Sequence, residues 1–288
     1  MKRLYLDSRD LIELLTHGQP VGLDEFADIL RRERWQLVYS FSNTCELALP
    51  QNLHETARRF GVLAEFPHSY IRSLPPIRDI EFRHAIAVYA QGAKPQRADV
   101  YVPAWYQTFT YINQDADLAA AARMSLAEQV VGMARLNPDI FRNKPQHMQD
   151  TQSAVDEDRA VTDAVRRNRA RFEGAVRLAL ADAQLPIPTE GLTKFARWVR
   201  DDPSRCPGWR IFEESYLEFC TNVQDRVDLG DLSDWTHISA VPYVDAITLD
   251  RRIAGYTKAT SRKLTALNPD VEYMNRVFAS TEDWMRNL

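Results

Sequence analysis

The chain has 288 residues, of which 45% are hydrophobic and 26% charged, a composition that excludes wholesale disorder and collagen-like structure. Its net charge of −4 gives no overall electrostatic attraction to nucleic acid. The apolar runs are far shorter than the roughly 20 residues of a membrane span, and the N-terminus lacks a secretory signal pattern. Cys45, Cys206 and Cys220 form no CxxC pair and predict neither a disulfide framework nor a thiolate zinc site. We therefore expect a soluble, cytoplasmic protein.

The first 50 residues show the alternation of strands and helices that is typical of a parallel sheet. Arg3 to Leu6 is an apolar strand, and a helical pattern with Leu11 and Leu14 follows it at once. A second helix is expected from about Leu23 to Arg34. The second strand is QLVYSF, residues 36–41. A helix is expected to follow it from Asn43 to Leu49, and Pro50 ends this helix.

The middle of the chain, residues 51–222, contains no convincing strand apart from a candidate at 100–102. Its helical patterns cover residues 52–65, 77–91, 117–135, 150–184, 190–200 and 209–221. After residue 222 the alternation returns, with helices at 231–241, 250–260 and 282–288 and strands at 243–249 and 271–278. The sequence thus predicts an α/β domain with a parallel, doubly wound sheet, formed by residues 1–50 and 223–288 and interrupted by an all-helical insertion, 51–222.

Acidic residues follow several of the predicted strands. Because the carboxyl ends of parallel strands share one edge of a sheet, we expect four acids from distant segments to converge there: Asp7, Glu46, Asp234 and Asp250. Carboxylates at close range repel one another unless a cation neutralises them. A set of three or four predicts a hard divalent ion, Mg²⁺ or Mn²⁺, which prefers oxygen ligands. Singly, however, Asp7 and Asp250 also fit helix N-caps, and Glu46 fits a solvated acid in a first helical turn.

Other polar residues near these acids are candidates for supporting roles. Three of them could orient waters or ligating carboxylates: Ser42, Asn43 and Thr248. Asp231, one turn from Asp234, is the reserve for the third acidic position, although it also fits a helix N-cap. His237 is a candidate ligand, proton shuttle or substrate contact, and equally a histidine packed on a helix face. Asp245 begins the strand that Asp250 follows, roughly 16 Å away, and is expected to be structural.

The motifs LYLDS, SFSNTCE, DWTHI and TLD, in this order, resemble a PIN domain, the fold of a family of metal-dependent nucleases. Asp7 matches the Asp that closes the first strand, and Ser40 with Glu46 matches the second strand and the helix after it. Asp234 matches the acid at a helix start, and Thr248 with Asp250 matches the T-x-D turn. The resemblance covers about the first 50 and last 65 residues. It implies catalysis with Mg²⁺ or Mn²⁺ and cleavage of RNA or, less often, DNA.

The chain departs from the common PIN pattern in two places. The predicted insertion after Glu46 is much larger than in compact toxin-like members of the family. The segment HISAVPYVD stands before TLD, where common members have a helix of small residues.

The predicted insertion also contains a basic segment. From Arg159 to Arg210 there are 11 Arg and Lys residues against 6 Asp and Glu residues. Candidate phosphate contacts on its long helix are Arg166, Arg169 and Arg177. Trp198 and Trp209 could stack bases, although core packing is the more frequent role of tryptophan. A solvated helix face explains the arginines equally well.

The preferred hypothesis is a PIN-like endoribonuclease that hydrolyses phosphodiester bonds with metal-activated water. One alternative is a catalytically inactive PIN-like scaffold that binds a protein partner through its helical region. Another is a phosphohydrolase acting on small nucleotides. The resemblance also allows a protein partner such as an antitoxin. The motifs of dinucleotide-binding proteins, P-loop NTPases and serine hydrolases do not occur in the sequence.

Overall fold

A computed structural model describes most of the chain. The described residues are 1–17, 22–49, 51–108, 123–136, 152–153, 155–157, 159–160, 169–188, 191–222, 224–225 and 231–288. For residues 17, 169–171 and 231–233 the description is limited to the backbone. Parts of the helices expected at 117–135 and 150–184 therefore lie outside the described residues.

The described residues form a mixed α/β structure around a six-stranded sheet. In chain order its strands are β1 (Lys2–Tyr5), β2 (Trp35–Tyr39), β3 (His68–Ile71), β4 (Tyr101–Val102), β5 (Ala246–Thr248) and β6 (Val277–Phe278). The spatial order is β4-β3-β2-β1-β5-β6, and all neighbours are parallel except β3 and β4. The strand order reverses at β1, which pairs with β2 on one side and β5 on the other. Ligands of parallel α/β sheets bind at the carboxyl ends of the strands beside such a reversal.

Helices flank the sheet. They are α1 (Ser8–His17), α2 (Leu23–Arg32), α3 (Phe41–Thr44), α4 (Leu53–Glu65), α5 (Leu74–Gln91), α6 (Leu126–Leu136), α7 (Arg169–Asp182), α8 (Leu192–Asp201), α9 (Pro207–Thr221), α10 (Asp231–His237), α11 (Arg251–Leu267) and α12 (Thr281–Met285). Short 3₁₀ turns include Cys45–Leu47 and Ile238–Tyr243. Within the described ranges, no helix combines the length and the apolar character that a membrane crossing requires.

The sheet is buried on both faces because successive side chains of a strand point to opposite sides. Leu4 and Leu37 belong to one apolar cluster, together with residues of α1, α2, α4 and α12. Their neighbours Tyr5 and Val38 belong to a second cluster, with residues of α9 and α11. A third cluster joins α5, α7, α8 and α9 away from the strands, around Phe195. The near-continuous apolar runs of β1 and β2 follow from this burial on two sides.

The structure corrects the expectation that residues 51–222 are all-helical. His68–Ile71 is a strand, β3, that pairs in parallel with β2 from Leu37 to Tyr39. Only Tyr70 and Ile71 of its four residues are buried, so its apolar pattern is too short to stand out between two helices. The candidate strand at 100–102 is confirmed as β4, antiparallel to β3. The division of the chain into two domains stays a prediction.

Two strands of the C-terminal part are shorter than expected. The expected strand at 243–249 is β5, Ala246–Thr248, because Ile238–Tyr243 forms a 3₁₀ turn before it. The expected strand at 271–278 is extended only at Val277–Phe278. Its first part turns instead, since the Glu272 carboxylate accepts a hydrogen bond from the backbone N–H of Met274, at 2.6 Å.

A buried carboxyl group joins the helical layer to the segment before β5. Glu81 of α5 is 1% exposed and accepts hydrogen bonds from the backbone N–H groups of Gly208 (2.6 Å) and Trp209 (2.9 Å) at the start of α9. The Tyr243 hydroxyl donates a third. A Cβ atom at Gly208 would lie 2.7 Å from the Ser239 carbonyl oxygen, so only glycine permits this approach.

Glu81 makes stability depend on pH. Burial raises the pKa of Glu81 from 4.5 to about 7, against the opposing effect of its three donors. The neutral form is therefore favoured in the folded protein, and the free energy of unfolding falls as pH rises from about 4.5 through 7, by about 3 kcal/mol from this group. We expect Glu81→Gln to remove this contribution, measured by urea unfolding from about pH 4.5 to 8.

The Tyr243→Phe variant is the companion experiment. Loss of the hydroxyl donor raises the pKa of Glu81 further, so the fall in stability moves to higher pH. Parallel stability curves for the wild-type protein and Glu81→Gln across this pH range would show that another group is responsible.

Candidate metal centre

The site is built around the peptide group between Leu6 and Asp7, directly after β1. Its carbonyl oxygen, on Leu6, accepts a hydrogen bond from Nδ2 of Asn43 at 2.9 Å. Its N–H group, on Asp7, donates to Oγ1 of Thr248 at 2.9 Å. Asn43 follows β2 and Thr248 ends β5, so both neighbours of β1 fix the same peptide group. This arrangement positions Asp7 at the carboxyl edge of the sheet.

Hydrogen bonds of Asn43 and Ser40 stabilise the chain where β2 ends. Asn43 is fully buried, and its Nδ2 also donates to the Val38 carbonyl oxygen at 3.0 Å. Its Oδ1 accepts from the Ser40 N–H at 2.8 Å, while the Ser40 hydroxyl accepts from the Asn43 N–H at 3.2 Å. These reciprocal bonds form a capping box at the start of α3. The Ser42 hydroxyl donates to Oγ of Ser73, the N-cap residue of α5, at 3.2 Å.

Three side chains converge at this edge: those of Asp7, Asp234 and His237. One ligand atom from each lies within 4.8 Å of the others, and no other such group of three occurs among the described residues. Nε2 of His237 is 3.8 Å from Oδ1 of Asp7. Asp234 and His237 share a face of α10 because residues three apart are neighbours on a helix. Asp7 and His237 are buried and Asp234 is half-buried.

Glu46 contributes negative charge to the same place. It lies in the 3₁₀ turn Cys45–Leu47 and not in the first helical turn as expected, since α3 already occupies Phe41–Thr44. Burial raises the pKa of Asp7 to about 6, with Arg9 opposing and Glu46 adding to the rise. Burial lowers the pKa of His237 to about 4, against the charge of Glu46. At neutral pH the site therefore combines carboxylates with a neutral imidazole, a donor set suited to a divalent cation.

Asp250 does not belong to the converging group. It is the N-cap of α11, where its carboxylate accepts a hydrogen bond from the Arg252 N–H at 2.8 Å. Its other oxygen lies 3.5 Å from Nη1 of Arg9. Asp245 lies before β5 and accepts a hydrogen bond from the Arg3 N–H at 2.8 Å. Asp231 begins α10, and its side chain lies outside the description.

Sequence reasoning missed Asp10, a second buried acid. Burial raises its pKa to about 6, and the interaction with the Thr248 side chain opposes the rise. Thr248 therefore accepts a hydrogen bond from the Asp7 N–H and also influences Asp10. The signal was present in the D-S-R-D spacing, which places two acids on one side of a helix start.

Tyr5 was also missed, because a tyrosine in a central strand reads as a core residue. Its hydroxyl lies 2.8 Å from Oγ of Ser40 and 2.7 Å from Nδ1 of His237. The Tyr5 hydroxyl therefore contacts Nδ1 of His237, while Asp7 lies near Nε2 on the other side of the same ring.

The basic segment is described in part. Arg177 is exposed on α7, Arg166 lies outside the described residues, and only the backbone of Arg169 is described. Trp209 is 3% exposed and packs in the third apolar cluster. Trp198 is half-buried, with the Arg205 guanidinium 4.1 Å from its ring centre.

The hydrogen bond of Thr248 to the Asp7 N–H is open to a test of stability. Thr248→Val keeps the shape of the side chain but leaves the buried Asp7 N–H without its acceptor. We expect a loss of about 1–3 kcal/mol in the free energy of unfolding. Thr257→Val is the matched control, since the equally buried Thr257 hydroxyl only donates back to the Ile253 carbonyl oxygen of its own helix. Equal losses in the two variants would contradict the role of Thr248 in holding the Asp7 N–H.

Comparison with known proteins gives no family for this chain. No family model, curated protein or solved structure matches it. Its candidate function therefore rests on the residues of the site and their geometry.

Proposed function

We propose that this chain is a PIN-like, metal-dependent endoribonuclease that hydrolyses phosphodiester bonds. One observation carries the proposal: Asp7, Asp234 and His237 converge at the carboxyl edge of the sheet, beside the reversal of strand order. This is the edge at which α/β enzymes hold their ligands. The resemblance of LYLDS, SFSNTCE, DWTHI and TLD to the PIN pattern supports the choice of nuclease chemistry.

In this proposal the acidic residues have different roles. Asp7 and Asp234 hold a divalent cation, and Glu46 adds negative charge from the adjacent turn. A bound Mg²⁺ or Mn²⁺ lowers the pKa of a coordinated water and stabilises charge on the leaving oxygen. Thr248 and Asn43 keep Asp7 in place through the Leu6–Asp7 peptide group. Asp250 fixes the start of α11 and holds the Arg9 guanidinium beside the acids.

A groove lies beside Asp250. It has a volume of about 670 Å³, and its lining includes Arg251, Arg252 and Tyr256 together with three acids, Glu218, Asp225 and Asp250. Arg9 connects this groove to the acids, because its guanidinium interacts electrostatically with Asp7 and Asp250. Guanidinium groups bind phosphates, and a tyrosine ring can stack on a base. These groups would contact a polynucleotide, and the three acids of the lining would oppose its binding.

Asp7→Asn tests the catalytic proposal. With Mn²⁺ present, cleavage of a labelled single-stranded RNA should fall about 10²-fold or more, since metal assistance contributes several kcal/mol. Without divalent ions the variant should be at least as stable as the wild-type protein. Burial raises the pKa of Asp7 to about 6, so its ionised form destabilises the fold above that pH, and asparagine removes the charge.

Asp24→Asn, at an exposed position of α2, is the matched control and should leave cleavage unchanged. DNA of the same sequence and a panel of mononucleotides complete the assay. Full cleavage by a folded Asp7→Asn protein would refute the proposal. Turnover of mononucleotides alone would favour the phosphohydrolase, and the absence of both turnover and metal binding would favour the inactive scaffold.

The position of the substrate is tested separately with two arginine variants. If RNA follows the groove at α11, Arg251→Ala should weaken RNA binding several-fold and reduce the slope of log Kd against log salt by about 1. Arg177→Ala, on α7, should then have no effect. The reverse result would place the RNA on the basic segment of the helical layer. Fluorescence anisotropy with an uncleavable RNA measures both effects.

A further inference from the structure

The structure assigns a role to His237 that follows from its neighbours: we propose that its Nε2 atom is a metal ligand beside Asp7 and Asp234, held ready by Tyr5, so that the site binds a first-row transition ion in preference to Mg²⁺. The inference rests on the proposed metal site and deepens it, by naming a nitrogen ligand and the class of ion. It does not depend on which polynucleotide is cleaved.

The first observation is an unpartnered polar atom that faces the acids. His237 is 1% exposed, and its Nε2 has no hydrogen-bond partner among the described residues. Its distance of 3.8 Å from Oδ1 of Asp7 is too long for a hydrogen bond. It fits two ligands of one ion, which lie roughly 3–4 Å apart when each is about 2.1 Å from the metal. A buried nitrogen in this position is suited to bind a cation together with Asp7.

The second observation is a chain of hydrogen bonds that sets the tautomer of the ring. The Asn43 amide is fixed, because Nδ2 donates to two carbonyl oxygens and Oδ1 must therefore accept. The Ser40 hydroxyl already accepts from the Asn43 N–H, and it donates to Oδ1 of Asn43 at 3.4 Å. Ser40 can then accept from the Tyr5 hydroxyl, 2.8 Å away.

The Tyr5 oxygen can in turn accept from Nδ1–H of His237, since the two atoms are 2.7 Å apart. In this arrangement each N–H or O–H group of the hydrogen-bonded series from His237 to Asn43 has an acceptor, and Nε2 carries a lone pair. The opposite direction would place an N–H at Nε2, which could not bind a metal ion, whereas in this direction the buried Nε2 presents a lone pair that a cation would satisfy. A histidine that donates from one ring nitrogen and presents the other as a lone pair has the form of a metal ligand.

A nitrogen ligand changes the ions that the site accepts. Mg²⁺ favours oxygen ligands and keeps several waters, whereas an imidazole ligand favours transition ions such as Co²⁺ and Zn²⁺, and to a smaller extent Mn²⁺, over Mg²⁺. A site of two carboxylates and one buried imidazole is therefore expected to discriminate against Mg²⁺. Tyr5 is a positioning residue here, since it acts through His237.

Two measurements on the full chain, freed of metal, test the assignment. Pulsed electron paramagnetic resonance of bound Mn²⁺ should show coupling to a ¹⁴N nucleus, replaced by ¹⁵N coupling when histidine is labelled. This readout needs no variant. Calorimetric titration with MnCl₂ and with MgCl₂ should show Mn²⁺ affinity falling about 10- to 100-fold in His237→Gln while Mg²⁺ affinity changes little. The ratio of Mn²⁺ affinity to Mg²⁺ affinity then falls by the same factor as the Mn²⁺ affinity.

The controls separate a ligand from a merely structural histidine. His54→Gln, at an exposed position of α4, should keep both the coupling and the affinity ratio. Tyr5→Phe should keep the fold but lower Mn²⁺ affinity and leave Mg²⁺ affinity unchanged, since the ring loses the acceptor for Nδ1–H.

Mn²⁺ binding without nitrogen coupling, and with an unchanged ratio in His237→Gln, would overturn the inference and leave a nuclease with oxygen ligands. Nitrogen coupling without RNA cleavage would support the inference and refute the proposed function. Failure of the wild-type protein to bind either ion would overturn both.

Discussion

The peptide group between Leu6 and Asp7 is the point on which the site depends. A side chain that follows β2 holds its carbonyl oxygen, and a side chain that ends β5 holds its N–H group. A neutral hydrogen bond contributes about 1 kcal/mol, but a buried group left without its partner costs more. A shift of β1 by one residue would unpair both groups and exchange the faces of Leu4 and Tyr5. The strand register and the position of Asp7 are therefore fixed together.

Buried carboxyl groups serve two purposes in this fold. Glu81 receives three donors, two of them from the start of a helix, and it holds together segments distant in the chain. Asp7 lies instead beside further negative charge from Glu46 and opposite an imidazole nitrogen that has no described partner. The first environment provides hydrogen-bond donors to both carboxyl oxygens. The second brings acidic groups together, and the proposed cation would neutralise their charge.

Parts of this arrangement could be predicted from the sequence. Apolar runs predict the strands β1, β2 and β5, and acidic residues follow these strands in the sequence. Asp7 and Asp234 are brought together by the sheet edge and a crossover helix, both of which follow from strand and helix patterns. The strand β3 was not predicted, because two of its four residues are only partly buried and its apolar pattern is correspondingly short. The hydroxyl of Tyr5 and the direction of its hydrogen bonds depend on packing that no local pattern encodes. Asp10 carried a spacing signal, whereas the contacts of Asp250 with Arg9 and the Arg252 N–H depend on how α11 packs.

The order of these groups along the chain has a consequence for synthesis. Asp7 and Glu46 emerge early, whereas α10, which carries Asp234 and His237, follows after the entire helical layer. About 230 residues separate the two sides of the site, so its assembly requires closure of a long loop. A nascent chain that ends before α10 has neither Asp234 nor the imidazole. The growing polypeptide therefore lacks a complete site until α10 has been synthesised.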